Sequence, residues 1–151
     1  METDTELGRK LEELFGAHPL DRAMPNLIGS LPSPFTSAVE EIEGSPLVLS
    51  GLWLYVDDLD RSHTLSQNIH TSTGSYWHAI MHRREGDFWN SKYWFRKVGE
   101  HPVIGLLGYD PFDFVDRCEA DKGKNTLELL ELQRKEWRTL FDWSLKEASG
   151  A

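Results

Sequence analysis

His78 and His82 stand four residues apart in a stretch that reads as a helix, and Glu85 follows three residues later. At 3.6 residues per turn these positions, i, i+4 and i+7, fall along one face. Two imidazoles one turn apart can share a divalent transition metal such as Zn, Ni or Fe, and a third ligand from another segment would leave an open position for water or substrate. His63 is the best third ligand. Only a short Thr/Ser/Gly connection, 71–75, separates its segment from the histidine pair, and such connections set consecutive helices side by side. Glu85 lies nearly two turns from His78, so it is expected to orient an imidazole or act as a catalytic base rather than ligate the ion. Ala79 follows His78, which separates this spacing from the His-Glu-x-x-His pattern of zinc proteases. By itself the spacing is a weak motif, since six histidines scattered over this length give such a pair about one time in five. Clustering adds to it, because five of the six lie between positions 63 and 101.

Two other readings use the same region. Without a metal, His78 or His82 with Glu85, Asp60 or Asp58 can do acid/base chemistry, and Arg84 can hold an anion. Asn90, Tyr93, Trp94 and Trp77 can then contact a flat or polar ligand such as a sugar or organic acid. Alternatively the aromatics and histidines belong to the core, and the protein is a helical oligomerisation or interaction module. Its long terminal helix and proline-rich arm would then contribute to a homodimer.

Composition narrows the classes. The chain of 151 residues carries 16 Lys and Arg against 25 Asp and Glu, a net charge of −9, which opposes the phosphate neutralisation that nucleic-acid binding needs. The stretch 78–98 runs the other way, with five basic and two acidic residues, an excess that suits a small anionic ligand. The competing explanation is that Arg83 and Arg84 pair with carboxylates such as Asp57, Asp58 and Asp60. A lone cysteine, Cys118, cannot form an intramolecular disulfide, and the acidic Met1–Asp4 lacks the features of a secretory signal, so a cytoplasmic location is expected. The longest apolar run, Leu47–Val56, is far short of the ~20 residues of a membrane helix.

The elements that must position the histidines read as helices throughout, giving one all-α domain, a compact irregular bundle of about seven or eight helices. Thr3 or Asp4 is the expected cap of the first, and 17–34, with four prolines, is expected to be an extended segment held by Leu20, Leu27, Ile28 and Leu31. Ser33-Pro34 and Ser45-Pro46 each read as a helix start. Helix 46–57 is apolar on all sides and should be central, with Gly51 permitting close approach of a neighbour. A polar helix over 58–70 follows. Gly86 and Asp87 divide the Trp-His helix from the next one, which Gly99 ends. After a loop carrying Pro102, Gly105 and Gly108, Asp110-Pro111 opens a helix to about Asp121. Asn125 with Glu128 reads as a capping box for a long helix over 126–147, buried through Leu127, Leu130, Trp137, Leu140, Phe141 and Leu145.

The run Gly74-Ser75-Tyr76-Trp77-His78-Ala79-Ile80-Met81-His82-Arg83-Arg84-Glu85-Gly86-Asp87 is followed by Asn90, Tyr93-Trp94 and Arg96. With Ser62-His63-Thr64-Leu65-Ser66-Gln67 before it, this run resembles a signature of an uncharacterised family of small microbial helical proteins. That resemblance spans about residues 52 to 102 and implies no particular activity or cofactor. The combination of one His with a His-x-x-x-His pair is also loosely similar to metal-dependent four-helix proteins of the DinB type. Here the pair is mid-chain and close to the first His, so the similarity is one of fold level.

Overall fold

The computed structural model describes residues 5–29 and 31–150, and among these the chain is all-helical, 69% in helix, with no strand. Among the described residues nine helices are present rather than seven or eight: α1 (Glu6–Ala17), α2 (Thr36–Glu40), α3 (Pro46–Tyr55), α4 (Leu59–Ser66), α5 (Ser72–Glu85), α6 (Phe88–Val98), α7 (Pro102–Leu107), α8 (Pro111–Asp121) and α9 (Leu127–Ser149). No described helix is long and apolar enough to cross a membrane.

Most boundaries follow from local chemistry. Ser45 caps α3 by accepting from the Val48 amide, with Pro46 in the first helical position, and Asp110 with Pro111 does the same for α8. Gly86 closes α5 at φ 89°, in the left-handed region where a Cβ is disfavoured, and Asp87 caps α6 through the Asn90 amide. The expected caps Thr3 and Asp4 lie outside the described residues; Thr5 caps α1 by accepting from Gly8.

Four expectations need correction. Ser33-Pro34 makes a turn in which Ser33 Oγ accepts from Phe35, and the short α2 starts later with no side-chain cap. Asn125 does not cap α9. It sits at φ 54° and its carboxamide accepts from the Leu27 amide at 2.9 Å, so tertiary docking of the N-terminal arm claims the group a capping box would use. Leu31 and Leu127 are exposed, whereas the arm is held by Leu27 with Ala23 and Met24. Finally, the expected loop after Gly99 contains α7, capped by the His101 imidazole accepting from Val103, a residue type outside the usual capping set.

The core forms where α3, α5 and α9 meet. Trp137 donates to the Gly51 carbonyl at 2.8 Å and Trp77 donates to Ser144 at 2.9 Å, so each indole satisfies its one polar atom while burying its ring. A Cβ on Gly51 would stand 2.7 Å from the Trp77 ring, which is the close approach its small size permits. The buried stripe of α9 is accordingly Leu129, Gln133, Glu136, Trp137, Leu140, Phe141 and Ser144, more polar than its sequence suggests.

Glu136 accounts for the largest polar element in that core. Its carboxylate receives both Arg83 terminal nitrogens, at 2.8 and 3.0 Å, and the Tyr109 hydroxyl at 2.6 Å, while both charged side chains are essentially inaccessible. Removing one partner leaves a buried charge, so Arg83→Met should cost about 3–5 kcal/mol in chemical denaturation. Replacing both partners, as Arg83→Met with Glu136→Leu, should recover most of that loss; a double variant no more stable than the single one would show that the pair does not act as a unit.

Candidate metal centre

Three serine and glycine contacts fix the helices that carry the histidines. Ser50 on α3 and Ser62 on α4 exchange hydrogen bonds with each other's carbonyls, at 3.2 and 2.9 Å, and this sets the rotation of α4 so that the next residue, His63, faces α5. Ser91 on α6 donates to the Ala79 carbonyl on α5 at 2.7 Å, beside His78, and this brings Trp94 one turn later onto the His78 ring. Gly74 admits the α4–α5 turn, because a Cβ there would lie 2.3 Å from the Ile69 carbonyl. Thr71 caps α5, so the helix begins within the connection expected over 71–75.

The expected triad comes together. Ring centroids of His63 and His78 are 4.8 Å apart, those of His63 and His82 5.3 Å, and those of His78 and His82 4.7 Å. Each can present one ring nitrogen within 4.8 Å of the other two. Glu85 Oε2 accepts from His82 Nδ1 at 2.6 Å, which leaves His82 Nε2 with its lone pair and puts the carboxylate behind the imidazole, as the sequence spacing requires. His78 is 3% exposed and its Nδ1 has no hydrogen-bond partner among the described residues. On its other side Trp94 stacks on it, 3.9 Å between centroids. A second group, His82, Glu85 and Asp87, also brings its ligand atoms within 4.8 Å, but Asp87 already accepts from the Asn90 amide and carboxamide.

Burial disfavours the charged form of two of these rings. Burial, reinforced by the neighbouring His82 and His63, pushes the His78 pKa down to about 3. Burial also lowers that of His63, opposed by Glu85 and Asp60.

The other expected ligand contacts divide. Trp94 belongs to the histidine cluster. Arg84 does not: it is buried, donates to the Leu54 carbonyl at 2.7 Å and ion-pairs with Asp57, the structural partner anticipated for it. Asp57 reaches that position from a left-handed backbone, φ 64°. Trp77 is wholly buried in the core. Asn90 is engaged with Asp87, and Tyr93 stacks on the exposed Trp89 with an edge toward Trp94. Sequence reasoning missed Ser62 and Ser91 as positioning residues, since a serine inside a helix gives no signal of what carbonyl it will meet.

Two small cavities touch the surroundings of the cluster, one through Glu85 and one through Trp94. One, of about 170 Å³, is bordered by Asp58, Asp60 and Glu85, and the other, of about 320 Å³, lies beyond Trp94. A larger groove of about 570 Å³ runs along α9 between Leu20 and Thr139, away from the histidines. No family model, no curated protein and no solved structure matches the chain, so geometry alone carries the functional reading.

If burial holds His78 neutral, its ring resonances in metal-free protein should not titrate between pH 8 and pH 5. A midpoint near the ordinary imidazole value of about 6.5 would mean the ring is solvated.

Proposed function

We propose that the protein binds a divalent transition metal, Zn, Ni or Fe, through His63, His78 and His82, and uses the ion's remaining position to bind or act on a small polar molecule in the cytoplasm. The carrying observation is that three imidazoles from two helices converge with a buried, unpartnered nitrogen on His78, where burial keeps the ring neutral. Metal ligation needs the unprotonated imidazole, and a carboxylate behind a ligating histidine is the usual means of fixing its tautomer. Ligand nitrogens on a common ion at about 2.0–2.1 Å lie roughly 3–3.5 Å apart, so small ring rotations would close the cluster. Such an ion supplies a Lewis acid with an open position.

The chain's own residues do the rest. Glu85 holds the hydrogen on His82 Nδ1 and, being partly exposed, is the group able to take a proton from a bound molecule. Trp94 covers one face of the His78 ring.

The positive excess of the 78–98 stretch does not reach this centre through Arg83 or Arg84, both of which are consumed by buried carboxylates. Lys92 pairs with Asp116 at 2.6 Å.

Elemental analysis of protein purified without a histidine tag should give close to one metal ion per chain. His78→Ala and His82→Ala should each abolish retention while leaving the helical circular dichroism largely intact. Glu85→Gln should weaken affinity by roughly 10–100-fold. Wild-type protein that is metal-free and cannot be loaded would overturn the proposal, and the same residues would then be read as an acid/base pair.

A further inference from the structure

The cavity beyond Trp94 is the histidine cluster's neighbour on three helices at once. Gln67 follows His63 by four residues at the end of α4, Ser75 precedes His78 by three on α5, and Lys97 follows Trp94 by three on α6. Residues at these spacings sit about 5–6 Å apart on one helix face, so the cavity lies one helical turn from the cluster, with Trp94 common to the surroundings of both. In a chain with 25 acidic residues, none of those described lines this cavity. The cation that lines it among the described residues is Lys97, and His70 lines it as well. Lys97 makes no ion pair among the described residues, and its ammonium lies 5.3 Å from the Tyr93 ring centre and 5.6 Å from that of Trp94.

The first turn of α5 opens here as well. Thr71 takes the Gly74 amide and Ser72 Oγ donates to the Val98 carbonyl at 2.7 Å, so the turn is fixed against the end of α6 while the Ser72 and Thr73 amides have no acceptor within the helix. Independently of that helix end, Ser75 lines the cavity at 8% exposure, and its hydroxyl has no hydrogen-bond partner among the described residues. A hydroxyl with no protein partner, on a nearly buried residue and open to the cavity, in the same lining as an ammonium that makes no ion pair among the described residues, is the arrangement expected where an acceptor-rich group is meant to sit.

We propose that this cavity is an oxyanion subsite in which Lys97, Ser75 and the first turn of α5 hold a phosphate or carboxylate group. The ligand's other end then extends one helical turn past Trp94 to His63, His78 and His82. The substrate class is thus a small molecule with one anionic terminus and a polar reacting end. The choice of reacting end rests on the metal-centre reading; the anion subsite does not.

Calorimetric titration of inorganic phosphate into chelator-treated protein at low ionic strength separates the two. Phosphate should bind without metal, and Lys97→Met, a change at an exposed position, should weaken it about tenfold or more, with a smaller loss for Ser75→Ala and recovery in Lys97→Arg. His82→Ala should leave it unchanged. If metal never loads but phosphate binding still depends on Lys97, the subsite stands and the metal centre falls. Absence of phosphate binding, binding indifferent to Lys97→Met, or binding that needs metal and is lost in His78→Ala would each overturn the subsite.

Discussion

Every residue of α5 from Thr73 to Arg84 is buried, and that enclosure dictates much of the rest of the structure. A helix covered on all sides yet rich in polar side chains is stable only if each of those groups finds a partner, because an unpaired buried donor or charge costs several times what a typical hydrogen bond contributes. The neighbouring elements supply those partners one by one. Glu136 on α9 meets Arg83, Asp57 after α3 meets Arg84, Ser144 accepts from Trp77, and Glu147 accepts from Thr73, whose hydroxyl also contacts His101. Arg83 and Arg84 each leave a buried Nε unpaired but are anchored through their terminal nitrogens, whereas His78 has a buried, unpaired Nδ1 and no side-chain hydrogen bond among the described residues.

The same enclosure explains why the candidate site is built on rigid elements. α4 is held to α3, and α6 to α5, through serine-to-carbonyl bonds rather than through long side chains, and such contacts fix helix rotation with little freedom. Rotation is what decides whether His63 and Trp94 face the histidine pair or solvent. Precise placement of a ligand set is easier on helices held this way than on loops.

The two cavities near the histidines differ in charge. Asp58, Asp60 and Glu85 border one, and Lys97 with the start of α5 borders the other. That polarity was hidden in the net charge of the 78–98 stretch, because three of its five basic residues are neutralised by carboxylates brought from elsewhere in the chain, namely Asp57, Asp116 and Glu136.

The sequence by itself determined the class of fold and many of its joints. Ser45-Pro46, Asp110-Pro111, Gly86-Asp87 and Gly99 act through atoms within a few residues of themselves, so their effect is readable without tertiary context. It also determined the face shared by His78, His82 and Glu85, since helical periodicity alone aligns them, and the short turn that brings His63 alongside. Other outcomes depended on contacts far apart in the chain. Asn125 gave up a capping role to bind Leu27, α9 turned Glu136 inward to meet Arg83, and Arg84 was drawn to Asp57 instead of a ligand. Each of these is a competition between a local partner and a distant one for the same polar atom. Only the folded chain decides it, because burial removes water as the alternative partner.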